Sequence, residues 1–430
     1  MDEKKDNDLE YHLNDPEDVI KVNNHKKTII ILLSVVLILV VLGVVAFLII
    51  KFVFGKKDED KDKDSDNKKK DEELKFNSYL NISYGGENNE IENTFKTNGS
   101  NYNDVLGEIN NGKNYEQNPS RNLYDLYIPK NLDKNQYNKI ILLIHGGSYQ
   151  LGDKSDLKDF CESLAIQGNI AVTMAHTFLN NSHLNSTIFR IQDEIATVIK
   201  NIKSNLKEKG FDETKLEIAI GGASSGSHLA LLYAYFYKNS PLEIKYVINM
   251  IGPVTYESQY FYVLINKNDT LDQIDEESIK KYEEEKKIMP LYVGPYFVQL
   301  MNIFLGYNEY NNLFPMIKSR ETMEIDTESP AYKELLEKAK LSFPITYVNK
   351  NTPPTICFYT GKDEFVGVKQ YSYLKSEFEK NGNEKIDLIY VKGLNHVIYI
   401  EGSEEAKNGL NQLFGKIAEY SQRYFTPNNK

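Results

Sequence analysis

Short apolar runs alternate along most of the chain with segments whose apolar positions recur every three or four residues. Such runs predict buried strands, and the wider spacing predicts helices with one core-facing side. The strand candidates are Leu123–Ile128, Lys139–Ile144, Ile170–Met174, Leu216–Ile220, Tyr246–Met250, Thr355–Tyr359 and Ile386–Val391. Strands that alternate with helices favour a mostly parallel, doubly wound sheet covered by helices, so we predict an α/β fold.

Three helical stripes stand between or after these strands. The longest runs from Ile188 to Leu206 with Ser186 as a candidate N-cap. The others comprise Leu157, Phe160, Cys161, Leu164 and Ala165, and then Leu410, Leu413, Phe414 and Ile417. Residues 256–350 interrupt the alternation with a charged helical run at 271–287 and an apolar-aromatic run at 289–305. Long insertions of this kind often serve as lids, so we predict a cap; a surface elaboration without a substrate role is the alternative.

The N-terminal part has a different pattern. Residues 1–27 form a polar tail, and residues 28–50 form an uninterrupted apolar stretch of 23 residues without a charge. At about 1.5 Å per residue this stretch spans roughly 35 Å, which is enough to cross a bilayer. A buried core helix would be shorter, and a cleaved signal peptide would have a basic leader and a small-residue cleavage site. We therefore predict one transmembrane helix and a lipid bilayer as its partner.

The orientation of this single-pass protein is less clear from the sequence. Lysines are more numerous after the apolar stretch than before it, which favours a cytosolic C-terminal side. Five N-glycosylation sequons favour the opposite side, and their acceptors are Asn81, Asn98, Asn180, Asn185 and Asn268. On balance we expect a luminal or extracellular C-terminal domain.

Three further segments complete the division of the chain. Residues 51–77 are dominated by Lys, Asp and Glu, which predicts a solvated, disordered linker. Residues 78–120 are rich in Asn and Gly and predict an irregular lead-in with a candidate edge strand at 105–109. Residues 121–428 form the main domain, which includes the 256–350 insertion.

Charge and cysteine content narrow the possible partners. The formal net charge is −11, which argues against nucleic acid as a partner. The only cysteines are Cys161 and Cys357, so the chain has neither a disulfide framework nor the ligand spacing of a zinc site. We expect no metal and no organic cofactor, and the oligomeric state is unknown from the sequence.

The segment Gly222-Ala223-Ser224-Ser225-Gly226 lies between a predicted strand and a predicted helix. A serine in this place is held on a tight strand-to-helix turn and exposes its hydroxyl as a nucleophile, although a glycine-rich loop is the simpler alternative. Upstream, a buried strand runs into His145-Gly146-Gly147-Ser148-Tyr149. The backbone N–H groups of Gly146 or Gly147, together with that of Ser225, are candidates for an oxyanion hole.

A serine nucleophile needs a base and an acid partner for that base. His396 follows a predicted strand and would therefore lie at the same sheet edge as Ser224, whereas His228 lies within the helix after the serine. Asp363 follows the strand before it and completes the order serine, acid, histidine. Glu364 is the nearest alternative to Asp363, and the candidate catalytic residues are Ser224, Asp363 and His396.

These motifs together resemble the α/β-hydrolase superfamily. The similarity is greatest to its esterase/lipase branch, with hormone-sensitive lipase, feruloyl esterase-like carbohydrate esterases and kynurenine formamidase as relatives. It covers about residues 121–425 and also includes Ser342-Phe343-Pro344-Ile345 and Thr352-Pro353-Pro354-Thr355. The resemblance implies hydrolysis of a small-molecule carboxylic ester through an acyl-enzyme on Ser224.

The chain also departs from these relatives at several positions. Tyr149 stands where Trp is frequent, Ser225 and Ser227 replace Ala and Gly, and His176-Thr177 replaces Tyr-Arg. Each change alters the surroundings of the site without removing a catalytic group. An amidase or formamidase with the same triad is an alternative, as is a non-catalytic adhesion or scaffold domain of this fold.

Overall fold

The structure is a computed structural model and describes residues 75–85, 90–91, 115–179, 186–237, 239–256, 301, 304, 316–319, 324–363, 365–396 and 403–427. The predicted polar tail, the membrane helix at 28–50 and nearly all of the linker at 51–77 lie outside these residues. The same holds for the strand candidate at 105–109 and the helical run at 271–287. Within the ranges given, no helix combines the length and the apolar character needed to cross a membrane.

An eight-stranded sheet forms the centre of the main domain. Its strands are β1 (Phe76–Ser83), β4 (Leu123–Pro129), β5 (Asn138–Ile144), β6 (Ile170–Met174), β7 (Leu216–Ala223), β8 (Ile244–Met250), β11 (Thr355–Thr360) and β12 (Ile386–Val391). The spatial order is β1-β4-β6-β5-β7-β8-β11-β12. Strand β4 runs antiparallel to both of its neighbours, and all the other adjacent pairs are parallel. This arrangement confirms the predicted α/β class and mostly parallel sheet.

All the strand candidates from Leu123 onward are found, with ends displaced by three residues at most. Two short antiparallel pairs accompany the sheet: β2 (Glu90–Ile91) with β3 (Tyr115–Glu116), and β9 (Ile317–Ser319) with β10 (Glu324–Ile325). The irregular segment predicted from residue 78 is wrong at its start, because residues 78–83 belong to strand β1. Its side chains from Asn77 to Asn81 are all exposed, so the strand lacks the alternation of apolar and polar residues that identifies a half-buried strand.

Helices cover both faces of the sheet. The described α-helices are α1 (Lys158–Ile166), α2 (Ile188–Glu208), α3 (Ser225–Phe236), α4 (Pro330–Ala339), α5 (Lys369–Lys380) and α6 (Glu404–Tyr424). Helices α1 and α6 meet on one face, where the rings of Phe160 and Phe414 stack at 4.4 Å. Helices α2, α3 and α5 lie on the other face, where α3 contacts β7, β8 and β5. The N-cap of α2 is Thr187 and not Ser186, because the Thr187 side chain accepts the Arg190 N–H.

The direction of the parallel strands determines where the candidate residues lie. Strands β5, β7, β11 and β12 end just before His145, Ser224, Asp363 and His396, respectively. Carboxyl ends of parallel strands meet at one edge of a sheet, and ligands of open α/β sheets bind at that edge. The sheet therefore assembles the site from segments that are far apart in the sequence.

Only part of the 256–350 insertion lies within the described residues. Its C-terminal portion contains α4 and two short 3₁₀ helices, Lys340–Ser342 and Pro344–Tyr347. The second of these packs on α3, and the Ile345 N–H donates to the Val254 carbonyl at 3.2 Å. This portion therefore contacts α3, the helix that follows Ser224, while the role of the insertion as a cap stays a prediction.

Candidate active site

Ser224 occupies the turn between β7 and α3. Its backbone has φ 51° and ψ −121°, a conformation that L-residues rarely adopt, and its N–H donates to the Met250 carbonyl at 2.8 Å. Gly222 and Gly226 make the turn possible, because a Cβ on Gly222 would overlap Gly226 and one on Gly226 would overlap the carbonyl oxygens of Ile144 and His145. The sequence therefore needs both glycines to hold Ser224 in this strained turn.

His396 lies between Ser224 and Asp363. Its Nε2 is 2.9 Å from Ser224 Oγ, and its Nδ1 is 2.6 Å from Asp363 Oδ2. The Asp363 side chain is fully buried, and that of His396 retains 17% of its exposure. A carboxylate can only accept hydrogen bonds, so the ring carries its proton on Nδ1 and presents the Nε2 lone pair to the serine hydroxyl.

Both carboxylate oxygens of Asp363 have defined partners. While Oδ2 faces His396, Oδ1 accepts the backbone N–H groups of Phe365 and Val366 at 2.7 and 2.8 Å. The turn that follows β11 thus fixes the carboxylate plane. Phe365 itself is 66% exposed, and the edge of its ring meets the His396 ring at a centroid distance of 5.3 Å.

The loop after β5 lies against the serine. A Cβ on Gly146 would be 3.2 Å from Ser224 Cβ, so the backbone approaches the serine as closely as only glycine allows. Gly147, Ser148 and Tyr149 have consecutive positive φ angles of 116°, 51° and 66°. A side chain on Gly147 would overlap the Leu151 carbonyl, so this reversed backbone depends on glycine at that position. The structure brings Gly146 beside Ser224, and Gly147 and Ser225 are the residues that follow these two in the chain.

Two buried histidines lie behind this loop. The Arg121 guanidinium is 2.9 Å from His145 Nε2 and donates to Gly152 O at 3.1 Å. Arginine can only donate, so Nε2 of His145 is an acceptor and Nδ1–H donates to the Gly146 carbonyl at 2.7 Å. Burial, with His176 stacked at 4.6 Å, lowers the pKa of His145 well below its usual range. The neutral ring thereby holds the Gly146 carbonyl in place.

Arg121 was missed by sequence reasoning. It precedes β4 and is remote from every motif, yet its guanidinium also pairs with Asp153 at 3.1 Å and lies 4.1 Å from the centroid of the Phe178 ring. Its Nε donates to the His176 carbonyl at 3.2 Å. Nothing in a single sequence relates an arginine at a strand start to a loop 24 residues later.

The serines that differ from the resembling families have structural partners. Ser225 Oγ accepts the Tyr149 N–H at 3.3 Å and so connects α3 to the loop after β5. Ser227 Oγ donates to the Gly222 carbonyl and accepts the Met250 N–H at 2.8 Å. Both hydroxyls therefore tie the turn around Ser224 to adjacent segments.

His228 is part of a buried aromatic cluster. Its Nε2–H donates to the Ser342 carbonyl at 2.9 Å, which leaves Nδ1 to accept the Tyr149 hydroxyl at 2.8 Å. The Tyr149 oxygen in turn lies 2.7 Å from the Tyr256 hydroxyl, and Phe304 stacks on His228. Burial lowers the pKa of His228 to about 3. This histidine is therefore neutral, and both of its nitrogens are engaged in buried hydrogen bonds. This agrees with the choice of His396 as the candidate base.

Two other acidic residues, Glu364 and Asp387, occur in the same part of the chain as Asp363. Glu364 lies outside the described residues. Asp387 is at the start of β12, at the opposite edge of the sheet, where it contacts Lys416 and the Tyr420 hydroxyl. Within the described residues, no group of three or more His, Cys, Asp or Glu side chains could hold a metal ion.

A family model and the fold of one solved structure agree with this architecture. A family model described as BD-FAE matches residues 124–378, which is more than half of the chain. Among solved structures, a truncated carbohydrate esterase from gut microbiota is 16% identical, with a TM-score of 0.50, 82% of this chain covered and 100% of that one. Esterase B from Lactobacillus rhamnosis is 14% identical, with coverage of 88% and 97% and a TM-score of 0.48.

A propionate-bound esterase from the planctomycete Thermogutta terrifontis is 15% identical, with coverage of 71% and 92% and a TM-score of 0.45. No match was found among curated protein sequences. At these identities the similarity of the gut-microbiota structure concerns the fold alone.

Proposed function

Because the chain belongs to the BD-FAE family of α/β-hydrolase esterases, and is thus a carboxylic ester hydrolase, we propose that it acts as a serine hydrolase with Ser224 as the nucleophile. The observation that carries this proposal is the position of His396. Its two nitrogens lie within hydrogen-bond distance of Ser224 Oγ and Asp363 Oδ2 at the same time. This is the arrangement that an acyl-transfer nucleophile requires.

In the first half-reaction, Ser224 Oγ attacks the ester carbonyl carbon while His396 Nε2 takes the hydroxyl proton. The carbonyl oxygen becomes an oxyanion that accepts the N–H of Ser225 and that of Gly146 or Gly147; one such donor is worth about 3 to 4 kcal/mol in comparable sites. As the C–O bond to the alcohol breaks, His396 gives its proton to the departing oxygen. The products are an acyl-enzyme on Ser224 and a free alcohol.

In the second half-reaction, water replaces the alcohol. His396 takes one proton from water as its oxygen attacks the acyl carbon, and the bond from that carbon to Ser224 Oγ then breaks. The proton on His396 returns to the serine oxygen, and a carboxylic acid leaves. Asp363 keeps the ring oriented through Nδ1 and stabilises its positive charge in both half-reactions.

The test is a comparison of the full-length chain with Ser224→Ala, using matched p-nitrophenyl ester, anilide and formanilide substrates. Ser204→Ala is the control, because that hydroxyl is exposed on α2 and bonds only within its helix. We expect fast ester turnover that is lost in Ser224→Ala and kept in Ser204→Ala. Faster anilide or formanilide turnover would instead favour the amidase alternative, and absence of turnover would favour a non-catalytic domain.

We also propose that residues 28–50 anchor the chain in a membrane as a single helix. The support is their length, the absence of charges and the lysines on both flanks. Carbonate extraction of membranes tests this directly. The full chain should stay in the membrane pellet, and a variant lacking residues 28–50 should be released.

A further inference from the structure

Strand β1 is an unusual edge of the sheet. Among the described strands it pairs only with β4, so one row of its backbone N–H and C=O groups faces away from the sheet. Exposed edges are normally protected by charged residues or proline against pairing with another chain. The sequence Phe-Asn-Ser-Tyr-Leu-Asn-Ile-Ser of β1 contains neither. It exposes Tyr79 and Leu80 at 37% and 55%.

The edge is interrupted at Asn81. The register against β4 shifts between Tyr79 and Ile82, and Asn81 has a φ of 56°, a left-handed conformation that asparagine tolerates better than most residues. The Asn81 N–H is turned toward Asp125 Oδ1 at 2.7 Å. Asp125 is itself buried and pairs with Lys154 at 3.1 Å. The backbone of Asn81 is therefore held firmly while its side chain stays exposed.

Asn81, Ile82 and Ser83 form an N-glycosylation sequon, and both Asn81 and Ser83 are exposed in the folded chain. Glycosylation occurs on the extended chain, so the fold must leave room for the sugar afterwards. The bulge does so, because it turns the asparagine out of the regular ladder. The acceptor asparagines of the other four sequons lie outside the described residues.

We propose that Asn81 is an N-glycosylation site whose glycan covers the edge of β1 that faces away from β4. In the reaction, Asn81 Nδ2 forms a bond to the anomeric carbon of an oligosaccharide carried on a lipid diphosphate. The bond from that carbon to the diphosphate oxygen breaks, and the amide nitrogen loses one proton. The Lys209 ammonium lies 4.0 Å from the centroid of the Tyr79 ring, so one charge is already present beside β1. The sugar would shield Leu80 and the outward-facing backbone groups, where β1 itself has neither a charged residue nor a proline.

Two consequences follow for the whole protein. A glycan at Asn81 places the main domain in the lumen or outside the cell, so with one span at 28–50 the N-terminal tail is cytosolic. Strand β1 is also four positions from β7 in the sheet, or about 19 Å at a strand spacing of about 4.8 Å. The glycan is therefore remote from Ser224, and its loss should leave ester turnover unchanged.

The test uses the full-length chain made in eukaryotic cells. Membrane extracts are treated with peptide N-glycosidase in heavy-oxygen water, which converts a glycosylated asparagine to labelled aspartate, and peptides are then mapped by mass spectrometry. We expect the label at position 81. Wild-type peptides that carry unmodified Asn81 would overturn the proposal, even if other sequons are modified.

Four variants give an independent readout by gel mobility. Asn81→Gln and Ser83→Ala each destroy the sequon and should lose one glycan. Ser83→Thr preserves the sequon and should keep the glycan. Asn77→Gln removes an exposed asparagine of the same strand that is not in a sequon, and it should migrate like the wild type. Equal mobility of all four would contradict the proposal, while ester turnover tests the catalytic proposal separately.

Discussion

Replacement of Asp363 by asparagine tests whether Asp363 holds the ring proton of His396 on Nδ1. In the wild type, Asp363 Oδ1 accepts two backbone N–H groups, from Phe365 and Val366. An asparagine must place its amide oxygen there, since its NH₂ group would face two other donors. The NH₂ group then occupies the place of Oδ2 and points at His396 Nδ1. The variant therefore keeps its local backbone bonds but presents a donor where the ring needs an acceptor.

The expected loss of kcat follows from this replacement of an acceptor by a donor. When Nδ1 must accept, the ring proton moves to Nε2, which can no longer take the proton of Ser224. The same exchange in a serine protease triad lowers kcat by about 10⁴-fold. At about 1.36 kcal/mol per tenfold, this is about 5.4 kcal/mol of transition-state stabilisation. Stability should change little, because the two bonds to the turn are retained.

The assay compares kcat for p-nitrophenyl acetate and the urea unfolding midpoint in the wild type, Asp363→Asn and Asp326→Asn. Asp326 is the matched control, because its carboxylate also accepts a backbone N–H two residues ahead, from Glu328 at 3.0 Å. We expect a loss of about four orders of magnitude in Asp363→Asn alone. A kcat within tenfold of the wild type, with unchanged unfolding, would refute the proposed role of Asp363.

Three further predictions concern the surroundings of the triad. Tyr149→Phe should lower the free energy of unfolding in urea by about 1 to 3 kcal/mol more than Tyr256→Phe. The reason is that only the first substitution removes the hydroxyl that donates to the buried His228 Nδ1. Equal effects of the two substitutions would contradict this. Phe365→Ala should raise KM about 2- to 10-fold for aryl esters and less for methyl esters in steady-state assays. The reason is that the Phe365 ring lies against His396, which in the proposed mechanism protonates the leaving alcohol. Equal changes for both esters would argue against contact with the leaving group. The pKa of His228 is about 3 in the folded chain, compared with an ordinary value of 6.5, so the unfolded chain gains a proton first as pH falls. The free energy of unfolding should therefore decline between pH 6.5 and pH 3, by up to about 1.4 kcal/mol per pH unit. Urea unfolding of His228→Gln should show a shallower decline, and a slope equal to that of the wild type would exclude this contribution.

The sequence predicted the inner strands of the sheet well because they are buried on both faces. Runs such as Ile170–Met174 contain no polar side chain longer than threonine and need no tertiary information to be recognised. Order along the chain then selected Ser224, Asp363 and His396, since strands that run in one direction bring their ends together. The structure places His396 within hydrogen-bond distance of both Ser224 and Asp363.

Contacts between polar residues that are far apart in the chain could not be predicted from a single sequence. Arg121 and Tyr256 contact the loop after β5 only because the sheet and the start of the 256–350 insertion bring them there. Strand β1 was missed because exposed edge strands have no burial pattern. The side-chain roles of Ser225 and Ser227 were likewise hidden, because small hydroxyl residues at a turn are compatible with many partners.

The most direct test of the serine mechanism is to locate a covalent adduct. The full-length chain is incubated with a fluorophosphonate, digested, and mapped by tandem mass spectrometry, with Ser224→Ala in parallel. Our account predicts a single phosphonylated residue, Ser224, and no adduct in the variant. An adduct on Ser225 or Ser227, or labelling that persists in Ser224→Ala, would contradict it.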